Sequence, residues 1–227
     1  QNRSAEKGYT GGQSVIAAGL VSSKEVLFNA LTWYVVASAL AIILSISTSS
    51  WGILLMATLG MAVTFWYSKA KFNWTHELAL GVAAGPIPVL MGMFTVTSSP
   101  NWVLGLVVSA PFAIVLSFAG LALDEFPDAE ANLKKGVKSI AYKVWEYKVD
   151  LSSYLAWWIG ILYSYQVFLI TLGALAPLTG ITFLLVPFFL ALGVMLKGSF
   201  DRAASWYIIV GAMYPMLLVV GQVLGGE

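Results

Sequence analysis

Long apolar runs alternate with short polar breaks along this chain, and the breaks fall at intervals suited to helices rather than strands. Seven runs are long enough, or nearly so, to cross about 30 Å of hydrocarbon as helices. They lie at residues 26–47, 51–67, 78–96, 102–123, 154–175, 178–196 and 206–224. The second is short and the third carries Pro86 and Pro88, so their ends are the least sharply marked. Pro111, Pro187 and Pro215 also fall inside runs, where each removes a backbone hydrogen bond and favours a kink. Interrupted helices are tolerated in a membrane where neighbours or a cavity satisfy the freed groups, which points to a bundle enclosing a chamber. Gly81 and Gly85, and again Gly221 and Gly225, have the spacing that lets membrane helices approach closely. The expected fold is an all-α integral-membrane bundle forming one domain over residues 1–227.

Composition agrees, with 59% apolar and 10% charged residues. Charge placement adds a topology. Arg3, Lys7 and Lys24 precede the first run, and Lys69 and Lys71 follow the second. Lys134, Lys135, Lys138, Lys143 and Lys148 follow the fourth, and Lys197 and Arg202 the sixth. All twelve bases therefore lie on one side, in loops at 1–25, 67–77, 124–150 and 197–204. The positive-inside rule makes that side cytoplasmic. Acids and bases are intermixed there, which excludes a nucleic-acid-binding surface. The absence of cysteine excludes disulfides and thiol chemistry. The polar opening at Gln1 is neither a signal peptide nor a membrane helix, and reads as the interior of a longer protein.

One charged island stands out. Asp124, Glu125, Asp128 and Glu130 precede Lys134, Lys135 and Lys138. On a regular helix Asp124, Asp128 and Asn132 share one face. Oxygen donors so placed suit Mg²⁺, a hard cation that commonly bridges to phosphates. The lysines a turn or two later are placed to meet phosphate oxygens. The plainer alternative is a polar connection whose acids lie near a helix start and bases near its end. A second charged site, Tyr67 to Lys71, reads either as snorkelling anchors or as phosphate ligands facing the island. His76, the one histidine, is expected to be an interfacial side chain, and Glu77 a favourable first-turn acid. Gly11, Gly12 and Gly19 lack the ending of a phosphate-binding loop and mark a turn. Most of the many aromatic residues fit an interfacial belt.

These residues resemble a family. DAEANLKKGVKS at 128–139 is similar to the second aspartate-rich motif of the UbiA superfamily of intramembrane prenyltransferases. YSKAK at 67–71 resembles its YxxxK element. Residues 10–22 resemble the loop after the first aspartate-rich motif, especially in members that prenylate dihydroxynaphthoate for menaquinone. The resemblance implies nine helices, seven of them visible here, and Mg²⁺ held between two acidic motifs. It implies an isoprenyl diphosphate donor, an apolar aromatic acceptor such as a quinone precursor, and lipid as surroundings. It makes Asp128 the first aspartate of the second motif; with Asp124 one turn earlier on the same face, the candidate catalytic residues are Asp124 and Asp128 and the candidate metal ligands Asp124, Asp128 and Asn132. Tyr67, Lys71, Lys135 and Lys138 become substrate-binding residues.

Two features depart from the pattern. Asn132 replaces the last acid of the second motif, and the first acidic motif is not among these residues. Both point to an alternative, a catalytically degenerate homologue acting as a structural or lipid-binding membrane subunit. The acids Asp124 and Asp128, Lys71 and the lysine cluster point to the enzyme. A transporter is disfavoured, because no charge lies well inside a predicted helix.

Overall fold

A computed structural model describes residues 19–225 except 71 and 135. Every regular element among them is helical. In chain order these are α1 (Ser23–Ser47), α2 (Trp51–Ala70), α3 (His76–Ala84), α4 (Pro86–Val96) and α5 (Trp102–Glu125). Next come a 3-10 turn (Phe126–Asp128), α6 (Ala129–Lys134), α7 (Ile140–Glu146) and α8 (Leu151–Thr171). A 3-10 segment (Pro177–Leu185), α9 (Val186–Gly198) and α10 (Phe200–Gly225) complete the bundle. Among the described residues, seven stretches are long and apolar enough to cross a membrane, as the hydrophobic pattern requires.

Local chemistry explains where helices begin and end. α1 starts at a capping box in which Ser22 accepts from the Glu25 N–H and Glu25 accepts from the Ser22 N–H. α8 starts at Asp150, whose carboxylate takes the Ser153 N–H at 2.8 Å. That bond and the Ser153 hydroxyl hold the Asp150 carboxyl below its ordinary range. α8 stops at Thr171, short of the expected 175, because Gly173 turns left-handed with φ 71° and Ala174 bonds back to the Leu169 carbonyl.

Two of the expected helices are interrupted. The third breaks at Gly85, and Pro86 opens α4 at the first-turn position, where a missing N–H costs nothing. The sixth is half 3-10 segment and half α9, with Pro187 in the first turn of α9. The 3-10 segment is held by a buried network around Gln166. Its amide donates to the Thr179 carbonyl, and its oxygen accepts from Thr182 and Tyr214, each at 2.8 Å. Irregular backbone at membrane depth needs such internal partners.

The paired glycines act in packing. A Cβ on Gly85 would collide with that of Ala113, and one on Gly81 would lie 3.0 Å from the Ile114 backbone. Both therefore let α3 press against α5. A Cβ on Gly221 would stand 2.5 Å from the Thr179 Cα, so α10 lies directly on the 3-10 segment. α5 is the axis of the bundle: 44% of its apolar stretch is buried, against 6% for peripheral α1.

Candidate active site

The island grows out of the end of α5. Pro127 has no N–H to continue an α-helix, and residues 126–128 tighten into a 3-10 turn before α6 resumes. A 3-10 turn has about three residues per turn rather than 3.6, so it rotates the downstream residues by roughly 60° over three positions. The single unbroken face expected for Asp124, Asp128 and Asn132 is thereby interrupted. Asp124 is half-buried, Asp128 is 6% exposed and Asn132 is half-buried on α6. Among the lysines, Lys138 is exposed, and Lys134 forms a surface pair with Glu130 at 2.7 Å. Lys71 and Lys135 lie outside the described residues, as do residues 1–18 with most of the glycine-rich opening.

The second charged site meets the island. Half-buried Tyr67 ends α2 within electrostatic range of Glu125, Asp124 and Glu77. The following turn is anchored by the Trp66 indole, which donates to the Thr75 hydroxyl at 3.2 Å. Trp74, with an uncommon left-handed φ of 67°, packs its ring on Tyr142, and the Lys143 ammonium lies 5.2 Å from that ring. Lys143 and Tyr142 also bond Glu146, which holds the Glu146 carboxyl below its ordinary range. The described residues of 66–77 and 124–146, far apart in sequence, thus form one cap over the end of α5.

At its centre lies His76, for which an interfacial role was expected and which is fully buried within the protein. Its Nε2 lies 3.2 and 3.3 Å from the two Glu125 carboxylate oxygens, and its Nδ1 lies 3.3 Å from Glu77. Glu77 is a first-turn acid as expected, but its other oxygen accepts the Ile140 N–H at 2.6 Å. The Tyr67 ring meets the imidazole edge-on at 6.1 Å. Sequence reasoning missed this cluster. Its one legible signal was an adjacent His and Glu at the head of an apolar run, where burial requires partners.

Below the cap is a cavity of about 640 Å³ between α3, α4, α5 and α10. Leu80, Val89, Phe112, Tyr207 and Leu218 line it, and among the described residues Asp124 is its one charged lining residue. Gly85, Gly120, Gly211 and Pro215 also border it, so the break between α3 and α4, three glycines and the proline of α10 shape the space. Two further cavities of about 600 and 620 Å³, between α8 and α9 and among α1, α2 and α4, have no charged wall residue among those described. An apolar chamber with one carboxylate at its charged end can take a long hydrocarbon whose polar head stays at the mouth.

The UbiA prenyltransferase family model matches residues 12–218, and the chain belongs to this family. It is 28% identical over 180 residues to the 1,4-dihydroxy-2-naphthoate octaprenyltransferase of Bacillus subtilis (strain 168). That alignment covers 78% of this chain and 56% of the relative, so the chain spans about half the length of the curated relative it matches. No solved structure matches it.

Proposed function

We propose that this UbiA-family protein moves an isoprenyl group from its diphosphate to an apolar cyclic acceptor, with a quinone precursor such as a dihydroxynaphthoate preferred. The observation that carries the reading is Asp124: the aspartate-rich island supplies one wall residue to an otherwise uncharged chamber. The isoprenyl chain lies in the chamber along Phe112, Tyr207 and Leu218. The diphosphate stays at the mouth, near Tyr67 and the exposed Lys138, with Lys71 and Lys135 assigned to it by family resemblance. The charged mouth faces the cytoplasm.

The donor set fits magnesium chemically. Asp124 and Asp128 offer carboxylate oxygens and Asn132 a carbonyl oxygen, all hard donors. These three residues would hold the ion, which when bound neutralises charge on the departing diphosphate. Among the described residues no group of three or more His, Asp or Glu side chains is clustered to hold a metal; the proposed ligand set combines Asn132 with two of the island's four acids, Asp124 and Asp128.

The chain's own residues do the rest. Lysine ammonium groups meet the diphosphate oxygens as the carbon–oxygen bond breaks and its electron pair leaves with the diphosphate. The apolar chamber keeps water from the allylic carbon, so the acceptor's ring carbon forms the new bond and the ring then gives up a proton.

Asn132 favours a second reading, because it removes one negative charge from the motif. In that reading the protein is a non-catalytic membrane subunit that still binds lipid. Incubation of the full chain in membranes with isoprenyl diphosphates, 1,4-dihydroxy-2-naphthoate and Mg²⁺ separates the two. Prenylated product that disappears with a chelator supports the enzyme. No product across donors and acceptors supports the subunit.

A further inference from the structure

We propose that His76 and Glu77 form a clip that positions the diphosphate-binding cap, acting through Glu125 and Ile140 rather than by touching substrate. The inference rests on the prenyl-transfer reading for its ligand. Its geometry is independent of that reading.

The two residues sit at the first turn of α3 and reach three other elements. His76 Nε2 spans both oxygens of Glu125, the neighbour of Asp124 at the end of α5. The imidazole edge supports Tyr67 at the end of α2. Glu77 takes the first backbone N–H of α7. That bond is short, and it joins residues 63 apart in sequence. The pair is buried to 0% and 2% exposure, so water offers no replacement partner. Both flanks of the island are therefore tied to one point: residue 125 before Asp128, and residue 140 after Lys138. Within α6 the Lys134–Glu130 pair is exposed and contributes little to that hold.

Supporting residues of this kind set ligand affinity by fixing the groups that bind. Their removal typically costs 10- to 100-fold in affinity. The chemical step at saturation should change much less, because neither residue reaches the reacting carbon.

The test uses the full chain in lipid nanodiscs with magnesium pyrophosphate as the probe, measured by titration calorimetry. Glu77→Leu removes the acceptor, whereas Glu77→Gln keeps an acceptor oxygen without charge. Ile140→Pro removes the donor and leaves Glu77 in place. Proline suits that first helical position, and Ser139 before it is already extended at φ −129° and ψ 159°. Glu77→Leu and Ile140→Pro are expected to weaken pyrophosphate binding about 10- to 100-fold, and Glu77→Gln less than about 3-fold. Hydrogen exchange of residues 139–142 should quicken in the two weak variants while that of α8 stays unchanged. In turnover, the donor KM should rise with kcat nearly constant.

Wild-type affinity in both Glu77→Leu and Ile140→Pro would overturn the clip. So would Glu77→Gln binding as weakly as Glu77→Leu, which would make charge the cause. If wild type binds the probe with this pattern yet prenylates nothing, the clip stands and the prenyl-transfer reading falls. If wild type does not bind magnesium pyrophosphate, both fall.

Discussion

The Tyr165 hydroxyl on α8 donates to the Val107 carbonyl on α5 at 2.8 Å. In a regular helix that carbonyl would take the N–H of residue 111, which is proline here. A neighbouring helix thus satisfies the acceptor that the proline leaves open, in a setting where hydrocarbon offers no substitute.

Tyr165→Phe should therefore destabilise the bundle by about 0.6–1.7 kcal/mol, the range for hydrogen bonds between membrane helices. In a Pro111→Ala background the same change should cost almost nothing, because alanine at that position restores the helical donor. Unfolding in mixed micelles for wild type, both single variants and the double variant reads the coupling directly. Additive effects would mean that Tyr165 does not serve the proline break.

Asp128→Ala should lower Mg²⁺-dependent prenyl transfer by more than about 100-fold, since losing a ligand exceeds the usual effect of losing its support. Asn132→Asp should lower the Mg²⁺ concentration for half-maximal activity, because it adds a negative ligand. A Mg²⁺ titration of the full chain checks both. Full activity in Asp128→Ala would remove that residue from the site.

Gly211 borders the chamber, and a Cβ there would have nothing closer than a Tyr207 ring carbon at 3.9 Å. Gly211→Leu should fit and shorten the space open to the isoprenyl chain. The kcat/KM for the longest accepted diphosphate should fall at least about 10-fold relative to shorter ones, given a few kcal/mol for lost apolar contact. An unchanged chain-length profile would place the chain elsewhere.

The chain lacks cysteine, so single cysteines report topology cleanly. Cysteines replacing exposed Lys138 and exposed Ser99 should react from opposite sides of sealed vesicles, with position 138 labelled from the cytoplasmic face. Labelling of both from one side would break the proposed orientation.

Glu125 and Glu130 show why the island was only partly legible. Both belong to one run of acids, yet Glu125 faces a buried imidazole while Glu130 pairs with Lys134 in solvent. Local spacing is enough for the Glu130–Lys134 pair, since four residues along a helix place two side chains together. It contained no trace of the Glu125–His76 pair, which spans 49 residues. The same limit applies at Pro127, whose tight turn reset the helical phase on which the face of Asp124, Asp128 and Asn132 depended.

The properties that the sequence determined by itself are those set by the solvent along each segment. Seven apolar runs of membrane length and glycines spaced for close contact reflect the low dielectric and thickness of hydrocarbon, and each is readable one segment at a time. Tertiary structure alone decided which groups meet: Glu77 with the Ile140 amide, His76 with Glu125, Gln166 with Thr179 and Tyr214, and Asp124 with the chamber. Buried polar groups must find partners, but which partner is available depends on how the helices pack around α5, and the packing is a property of the whole bundle.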